Sequence, residues 1–278
     1  MSELFYAVLL AVGIVCAIGL ICALLLVIAD KFMAVKEDDR VLKVRECLPG
    51  ANCGACGFTG CDGYAKALIE NPGTKTNLCV PGSDGVAKQI AGILGVEAEE
   101  VVEQTAYVHC HGDCTRTEKK HEYHGIESCA AAKLFYGGDG SCTYGCLGYG
   151  DCAKVCPNDA ICIENGIAHV DSRKCTGCGM CAKTCPNKVI AMLPDSARTV
   201  VTCSNKEKGA VAKKHCSNAC IGCGKCVKNC PAQAIAVVDF LAQIDYDKCQ
   251  HCGKCAEVCP VHAIKETDLT GIHNIKQA

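Results

Sequence analysis

Three stretches of this chain space four cysteines by two, two and three residues and follow the last with proline. They are CTGCGMCAKTCP (Cys175, Cys178, Cys181, Cys185), CIGCGKCVKNCP (Cys220, Cys223, Cys226, Cys230) and CQHCGKCAEVCP (Cys249, Cys252, Cys255, Cys259). A fourth, CLGYGDCAKVCP, keeps Cys146, Cys152, Cys156 and the proline but has Tyr149 where the second unit has Cys223. Thiols this dense can serve disulfides, zinc or iron–sulfur clusters. The 29 cysteines are an odd number, which does not allow complete pairing. Zinc sites separate two C-x2-C knuckles by a dozen or more residues. The C-x2-C-x2-C-x3-C-P run is instead the pattern of a [4Fe–4S] pair, three cysteines on one cube and the fourth on its neighbour. Three thiolates on one short turn grip three corners of a cube, and adjacent glycines let backbone N–H groups approach its sulfurs.

Crossed ligation gives explicit expectations. In the second pair, Cys220, Cys223, Cys226 and Cys259 hold one cube, and Cys249, Cys252, Cys255 and Cys230 the other. In the first pair one cube takes Cys175, Cys178, Cys181 and Cys156. Its partner lacks a ligand at Tyr149, and Cys142, in CTYGC, is expected to supply it beside Cys146, Cys152 and Cys185. Without Cys142 that site would hold a three-iron cluster. The intervals Cys146 to Cys220, Cys175 to Cys249 and Cys185 to Cys259 are identical, so one two-motif unit occurs twice, as a tandem duplication.

A different cysteine set lies upstream, in CLPGANCGACGFTGCDGYAKALIENPGTKTNLC. Cys53, Cys56 and Cys61 sit in a glycine-rich loop, and Cys79 closes it after a helix expected near Gly63 to Glu70. This C-x2-C-x4-C-x17-C spacing suits a fifth cluster, with zinc the alternative. Cys47 is spare.

The elements that must position these thiols are short. AICIENGIAHVDSRKC and AIAVVDFLAQIDYDKC each read as two strands around a turn, with short helices expected after each Cys-Pro. GVAKQIAGILGVEAEEV reads as an amphipathic helix packed on the upstream module. The fold class is α+β. The expected divisions are an anchor at 1–29, a single-cluster module at 30–105, ferredoxin-like units at 106–197 and 198–268, and a tail at 269–278. With no Trp and 5% aromatics, each unit has little apolar core, and metal binding is expected to supply much of the folding energy.

From Leu4 to Ala29 the chain carries no charge. That run exceeds the roughly 20 residues needed to span a bilayer and allows some tilt. A signal peptide would show a basic start and a shorter apolar run, whereas the only early charge is Glu3, so a retained single-pass anchor is expected. Gly13 and Ala17, and Gly19 and Ala23, are spaced to seat it against a partner helix, although small residues are common in membrane helices anyway. Lys31, Lys36, Arg40, Lys43 and Arg45 follow it, which predicts that the remainder faces the cytoplasm from the inner (cytoplasmic) membrane. That compartment disfavours structural disulfides.

No acid–base or nucleophile constellation, no G-x-G-x-x-G loop after a strand and no flavin-attachment signal occurs. The anchor holds no Asp, Glu, Lys, Arg or His from Leu4 to Ala29 and offers no ion path. Net charge is −2, with bases and acids intermixed, which argues against nucleic acid. Lys206, Lys208, Lys213 and Lys214, in an expected linker, and Arg116, Lys119 and Lys120 could steer an acidic partner or simply be solvated. Among the remaining cysteines, Cys16 and Cys22 read as small apolar residues of the anchor and Cys162 as a buried strand residue. Cys216, the counterpart of Cys142, reads as spare. Cys110, Cys114 and Cys129 with His121 and His124 could in principle hold zinc or a sixth cluster, but their spacings match no metal template closely, and Cys110 and Cys203 look like duplicated structural positions.

The order of parts, one membrane helix, then LPGANCGACGFTGCDGYAKA…C, then paired ferredoxin motifs, resembles the B subunit of Rnf-type electron-transport complexes. The resemblance covers nearly the whole chain, in the extended form with two tandem two-cluster units. It implies about five [4Fe–4S] clusters, soluble reduced ferredoxin as donor and other membrane subunits as partners. The complex it implies reduces NAD+ and moves Na+ or H+. A relay subunit of a membrane-bound hydrogenase or dehydrogenase is the alternative, though such a subunit would not be expected to carry the Cys53–Cys79 module.

Overall fold

The computed structural model describes residues 2–33 and 38–272; Met1, residues 34–37 with Lys36, and residues 273–278 of the expected tail lie outside the described residues. The chain divides into two units, Met1–Leu42 and Lys43–Ala278. The first contains helix α1 (Ser2–Met33), about 48 Å long at 1.5 Å per residue. Its segment Val12–Ala29 is long and apolar enough to cross a membrane. Leu20, Leu24 and Leu26 stand exposed on it, as lipid-facing side chains would.

Helix α2 (Asp39–Cys47) precedes the cysteine-rich part of the chain. Helices α3 (Cys61–Glu70) and α4 (Ser83–Leu94) build the upstream module around buried Tyr64, Leu68 and Ile90. The Tyr64 hydroxyl donates to the Lys75 carbonyl at 2.7 Å and accepts from the Leu78 N–H at 3.3 Å, fixing the loop that leads to Cys79. Helix α4 stops earlier than its sequence pattern suggests. Gly95 turns left-handed at φ 70° and caps it, so residues up to Val101 leave the helix.

Each duplicated unit is two two-stranded antiparallel sheets. In the first, β1 (Gln104–Val108) pairs with β4 (Ile190–Pro194), and β2 (Ile161–Glu164) with β3 (Ile167–Val170). In the second, β5 (Thr199–Val201) pairs with β8 (Ile264–Glu266), and β6 (Ile235–Val238) with β7 (Leu241–Ile244). The hairpins turn through Asn165–Gly166 and Asp239–Phe240, all at positive φ, as two-residue turns of this kind require. The first unit adds α5 (Cys129–Lys133) and the second α8 (Gly209–His215). The stretch NKEKGAVAKKH is thus largely helix rather than open linker.

Short helices α6 (Asp151–Lys154), α7 (Met180–Thr184), α9 (Lys225–Lys228) and α10 (Lys254–Glu257) begin after left-handed glycines. They carry Cys152, Cys181, Cys226 and Cys255, the third thiol of each motif, instead of following each Cys-Pro. A helical turn there aims the third thiol back toward the preceding loop. Gly148 and Gly222, equivalent positions of the two repeats, press on the hairpin turns: a Cβ at Gly148 would strike the Gly166 carbonyl, and one at Gly222 the Phe240 carbonyl at 2.8 Å. Gly148 also has φ 76°. Gly148→Ala is expected to cost about 2 kcal/mol. In the iron-loaded chain this is a thermal midpoint lower by about 4–8 °C.

Candidate iron–sulfur sites

The upstream loop is wound by Gly54, Gly57 and Gly60, all at positive φ, and Asn52 Oδ1 accepts the Cys61 N–H at 2.9 Å. This brings Cys53, Cys56 and Cys61 to Cys79. Burial pushes the Cys79 thiol to about 11 against a hydrogen bond from the Gly82 N–H, and neighbouring Cys61, Cys53 and Cys56 add to the rise. The loop then docks on the first ferredoxin-like unit. Lys183 Nζ, on α7, donates to the carbonyls of Cys53 at 3.0 Å and Gly54 at 2.9 Å. Cys53 lies close enough to Cys178 to act on its thiol.

In the first unit, Cys178 feels burial first, and then Cys53, Cys175 and Cys156. Cys181 is pushed to about 12 by burial, then by Cys175, Cys178 and Cys152. The four thiols expected for this cube are thus neighbours, and Cys152 of the next set lies beside them. Ala106 and Ala160 donate N–H groups to the sulfurs of Cys175 at 3.5 Å and Cys156 at 3.3 Å.

The next set corrects the expectation for Cys142. Burial pushes Cys152 to about 12, and the thiols adding to it are Cys146, Cys129 and Cys185. Cys129 and Cys185 likewise act on Cys146. Cys142 instead faces Cys110, Cys203 and Cys216. Cys129, not Cys142, is therefore the thiol that the structure brings beside Cys146, Cys152 and Cys185. The physical reason is an insertion. The stretch from Cys110 to Cys142 is more than twice as long as its counterpart from Cys203 to Cys216, and the extra chain folds over Tyr149 through ring contacts of Tyr123 with Phe135 and with Tyr149. The Tyr149 hydroxyl donates to buried Asp139 at 2.9 Å, and Lys119 pairs with that carboxylate at 2.8 Å.

Asp151 locks Cys129 in place. Its carboxylate accepts the Ser128 hydroxyl at 2.8 Å and the Ala130 N–H at 3.0 Å. Partial burial opposes ionisation, but hydrogen bonds from Ala130, Ser128 and Cys129 hold the carboxyl below the ordinary range. Because Asp151 adjoins Cys152, the start of α5 is tied to α6. Asp151→Ala removes three charge-assisted bonds. It is expected to speed iron loss from this site several-fold under chelator, followed by visible absorbance, while Asp151→Asn, which keeps an acceptor, loses iron at an intermediate rate.

In the second unit Cys226 is raised by burial and has Cys220, Cys223 and Cys259 around it. Cys255 is pushed to about 11 by burial, with Cys249 and then Cys226 beside it. Cys230 packs in the same core, and Cys252 is exposed on the loop between Cys249 and Cys255. Ala234 and Ala263 donate N–H groups to Cys230 and Cys259 sulfurs, both at 3.3 Å. A cavity of about 20 Å³, measured for the centre of a water-sized sphere, lies among Cys220, Cys223, Cys226 and Cys259. Enclosed thiols with N–H donors aimed at their sulfurs fit a cluster. Among the described residues no group of His, Cys, Asp and Glu closes on a single metal ion.

The remaining thiols sort clearly. Cys162 is exposed, because it lies on the outward face of β2 with Glu164, so it is not the buried residue its sequence suggests. Cys114 is exposed and Cys47 half-buried. His124 is exposed and pairs with Glu122, and the HCHGDC…C segment gives Cys110 and Cys129 to two different places. Sequence reasoning missed Cys129. The signal was present, since the insertion that carries it belongs to the unit that has lost a cysteine at Tyr149.

Comparison with known proteins finds iron–sulfur families along the chain. A 4Fe-4S dicluster domain family matches residues 174–235, another matches 219–263, and an Fe-S cluster family matches 48–81. The chain is 44% identical over 245 residues to the B subunit of the Na(+)-translocating ferredoxin:NAD(+) oxidoreductase complex of Acetobacterium woodii, covering 88% of this chain and 73% of that protein. It is 44% identical to the proton-translocating counterpart of Clostridium ljungdahlii, covering 81% and 79%. It is 40% identical to the B subunit of the ion-translocating oxidoreductase complex of Methanosarcina acetivorans, covering 81% and 85%. With its membrane-length helix, its Cys53–Cys79 module and its paired dicluster domains, the chain belongs to the family of B subunits of ion-translocating oxidoreductase complexes, the Rnf type.

Proposed function

We propose that this chain is the electron-transfer subunit of a membrane complex that passes electrons from reduced ferredoxin toward NAD+, coupled to Na+ or H+ translocation. The observation that carries the reading is contiguity. Cys53 neighbours Cys178, Cys152 neighbours Cys181, and Cys226 neighbours Cys255, so successive thiol sets adjoin within each part of the chain. The ligand sets are Cys53/Cys56/Cys61/Cys79, Cys156/Cys175/Cys178/Cys181, Cys129/Cys146/Cys152/Cys185, Cys220/Cys223/Cys226/Cys259 and Cys230/Cys249/Cys252/Cys255. When bound, a [4Fe–4S] cube supplies one-electron chemistry over a wide range of potentials. The chain's own residues hold it: buried thiols exclude water, backbone N–H groups of Ala106, Ala160, Ala234 and Ala263 donate to ligand sulfurs, and Lys183 clamps the upstream loop to α7.

Helix α1 anchors the chain by a single pass, and the basic residues after it favour the cytoplasmic side for the cysteine-rich part. Relatives of equal identity are named for Na+ and for protons, and α1 has no charged residue from Leu4 to Ala29. Ion movement and NAD chemistry therefore belong to the other membrane subunits. Lys213 and Lys214, exposed on α8, offer an acidic ferredoxin a docking face, whereas Lys206, Arg116 and Lys119 are engaged with Asp239, Asp113 and Asp139.

The test is anaerobic EPR of the purified full chain during stepwise addition of reduced ferredoxin. Reduction of several interacting clusters supports the proposal. A fully iron-loaded chain that ferredoxin leaves oxidised refutes it.

A further inference from the structure

Four cysteines that no ferredoxin motif uses converge where the two duplicated units meet. We propose that Cys110, Cys142, Cys203 and Cys216 ligate a sixth [4Fe–4S] cluster. This deepens the relay reading and rests on it.

The convergence is built by equivalent positions. Cys110 follows β1 and Cys203 follows β5, and the backbone repeats: the His109 N–H donates to the Val189 carbonyl, and the Thr202 N–H to the carbonyl of Ala263, the equivalent of Val189 in the second repeat. Cys142 and Cys216 are separated by the same repeat interval. Each unit therefore contributes two thiols. Burial raises Cys110 to about 12 and Cys203 to about 11, and Cys142 is among the thiols acting on each of them and on Cys216. A Cβ built on Gly112 would sit 3.3 Å from the Cys216 sulfur and 3.8 Å from the Cys110 sulfur, so those two sulfurs flank one small space. A Cβ on Gly145 would approach the Cys110 sulfur at 3.6 Å. Neither glycine has a positive φ, so what they supply is room beside the sulfurs.

The surroundings match those of the ferredoxin cubes. The cavity among these thiols is about 40 Å³, against about 20 Å³ on the same measure at the Cys220 set. Cys110 accepts the Cys146 N–H at 3.3 Å, Cys203 the N–H groups of Cys220 and Asn205 at 3.4 Å, and Cys142 the Asn205 side-chain amide at 3.4 Å. The Thr202 hydroxyl and the Asn218 amide nitrogen line the cavity, buried and without a partner in the structure. Both are donors suited to cluster sulfides. A zinc tetrahedron with Zn–S of about 2.3 Å would draw all four sulfurs to about 3.8 Å of one another, and no described group has closed on a single ion.

Position supplies the purpose. Cys146 and Cys220, whose N–H groups touch Cys110 and Cys203, are themselves ligands proposed for the cubes on either side. A cluster here links the two ferredoxin pairs, each step oxidising one cube as it reduces the next by one electron.

The test is iron and acid-labile sulfide on the full chain, purified anaerobically in detergent, with native mass spectrometry of the same sample. Six cubes give about 24 irons. Cys142→Ala and Cys203→Ala are each expected to fall to about 20, while Cys162→Ser, on the exposed strand, stays at 24. About 20 irons in the wild type, one zinc per chain at these thiols, or 24 irons retained in Cys142→Ala would overturn the sixth site and leave the relay intact. Native mass counts cubes in the unaltered chain, so a variant that fails to fold does not blunt the test. Only a wild type with few irons, or none that ferredoxin reduces, would overturn the relay reading itself.

Discussion

Cys129→Ala is expected to cost the chain between one and four of the irons at the Cys146/Cys152/Cys185 site, and to leave a three-iron EPR signal in the oxidised state where one iron alone is lost. Three thiols remain there, and a cube needs four. Tyr149, its hydroxyl committed to Asp139, cannot replace the missing ligand. This site joins the cube beside the upstream module to the rest of the chain, through Cys152 next to Cys181. With ferredoxin docked at α8 in the second unit, the cube beside the upstream module should therefore reduce far more slowly. Cys142→Ala gives the opposite pattern: the Cys146 site keeps its four-iron spectrum. A three-iron signal in Cys142→Ala together with a normal site in Cys129→Ala would restore the ligand set read from CTYGC.

Stripping iron anaerobically with a chelator is expected to unfold the cysteine-rich unit. Nine of its buried apolar positions are cysteine (Cys61, Cys110, Cys129, Cys152, Cys181, Cys216, Cys220, Cys226 and Cys255), and most of the others are alanine or valine. Tyr64 and Ile90 are the largest of the fully buried side chains. A single structural zinc contributes about 10–16 kcal/mol to small domains. That matches or exceeds the whole stability of a typical one, about 5–15 kcal/mol. Circular dichroism should lose its strand signature and the near-ultraviolet signal of Tyr64 and Tyr107 as iron leaves, while α1 in detergent keeps its helical signal. Retention of a cooperative thermal transition in the metal-free chain would show that the small core suffices.

The motifs made most of this legible. Fixed spacing within each run pins three thiols to one turn, so local sequence is enough to place Cys175, Cys178 and Cys181, or Cys220, Cys223 and Cys226. The hairpins were legible too, since Asn165–Gly166 stands between alternating apolar residues. Cys129, Cys110 and Cys203 were not, because each is brought to its partners by tertiary packing: Cys129 by the Asp151 cap, and Cys110 and Cys203 by strands β1 and β5, whose partners β4 and β8 come much later in the chain. Cys162 misled for a related reason. On a two-stranded hairpin alternate residues face outward, and its apolar neighbours Ile161 and Ile163 did not reveal which face was buried. Helix α4 ended early at Gly95, a cap that also reads as an ordinary glycine in an amphipathic pattern.

Cys110 and Cys142 come from one repeat and Cys203 and Cys216 from the other, so neither half alone completes the proposed sixth site. Before the two halves were joined, each copy would have carried an open pair of thiols, and finding a second copy would have been a bimolecular event governed by protein concentration. Tandem fusion makes that encounter intramolecular, at an effective concentration of order millimolar for a short connection, here the few residues between β4 and β5. Once the meeting no longer depended on chance, the halves were free to diverge. The first now carries the longer stretch from Cys110 to Cys142, the second the shorter one from Cys203 to Cys216.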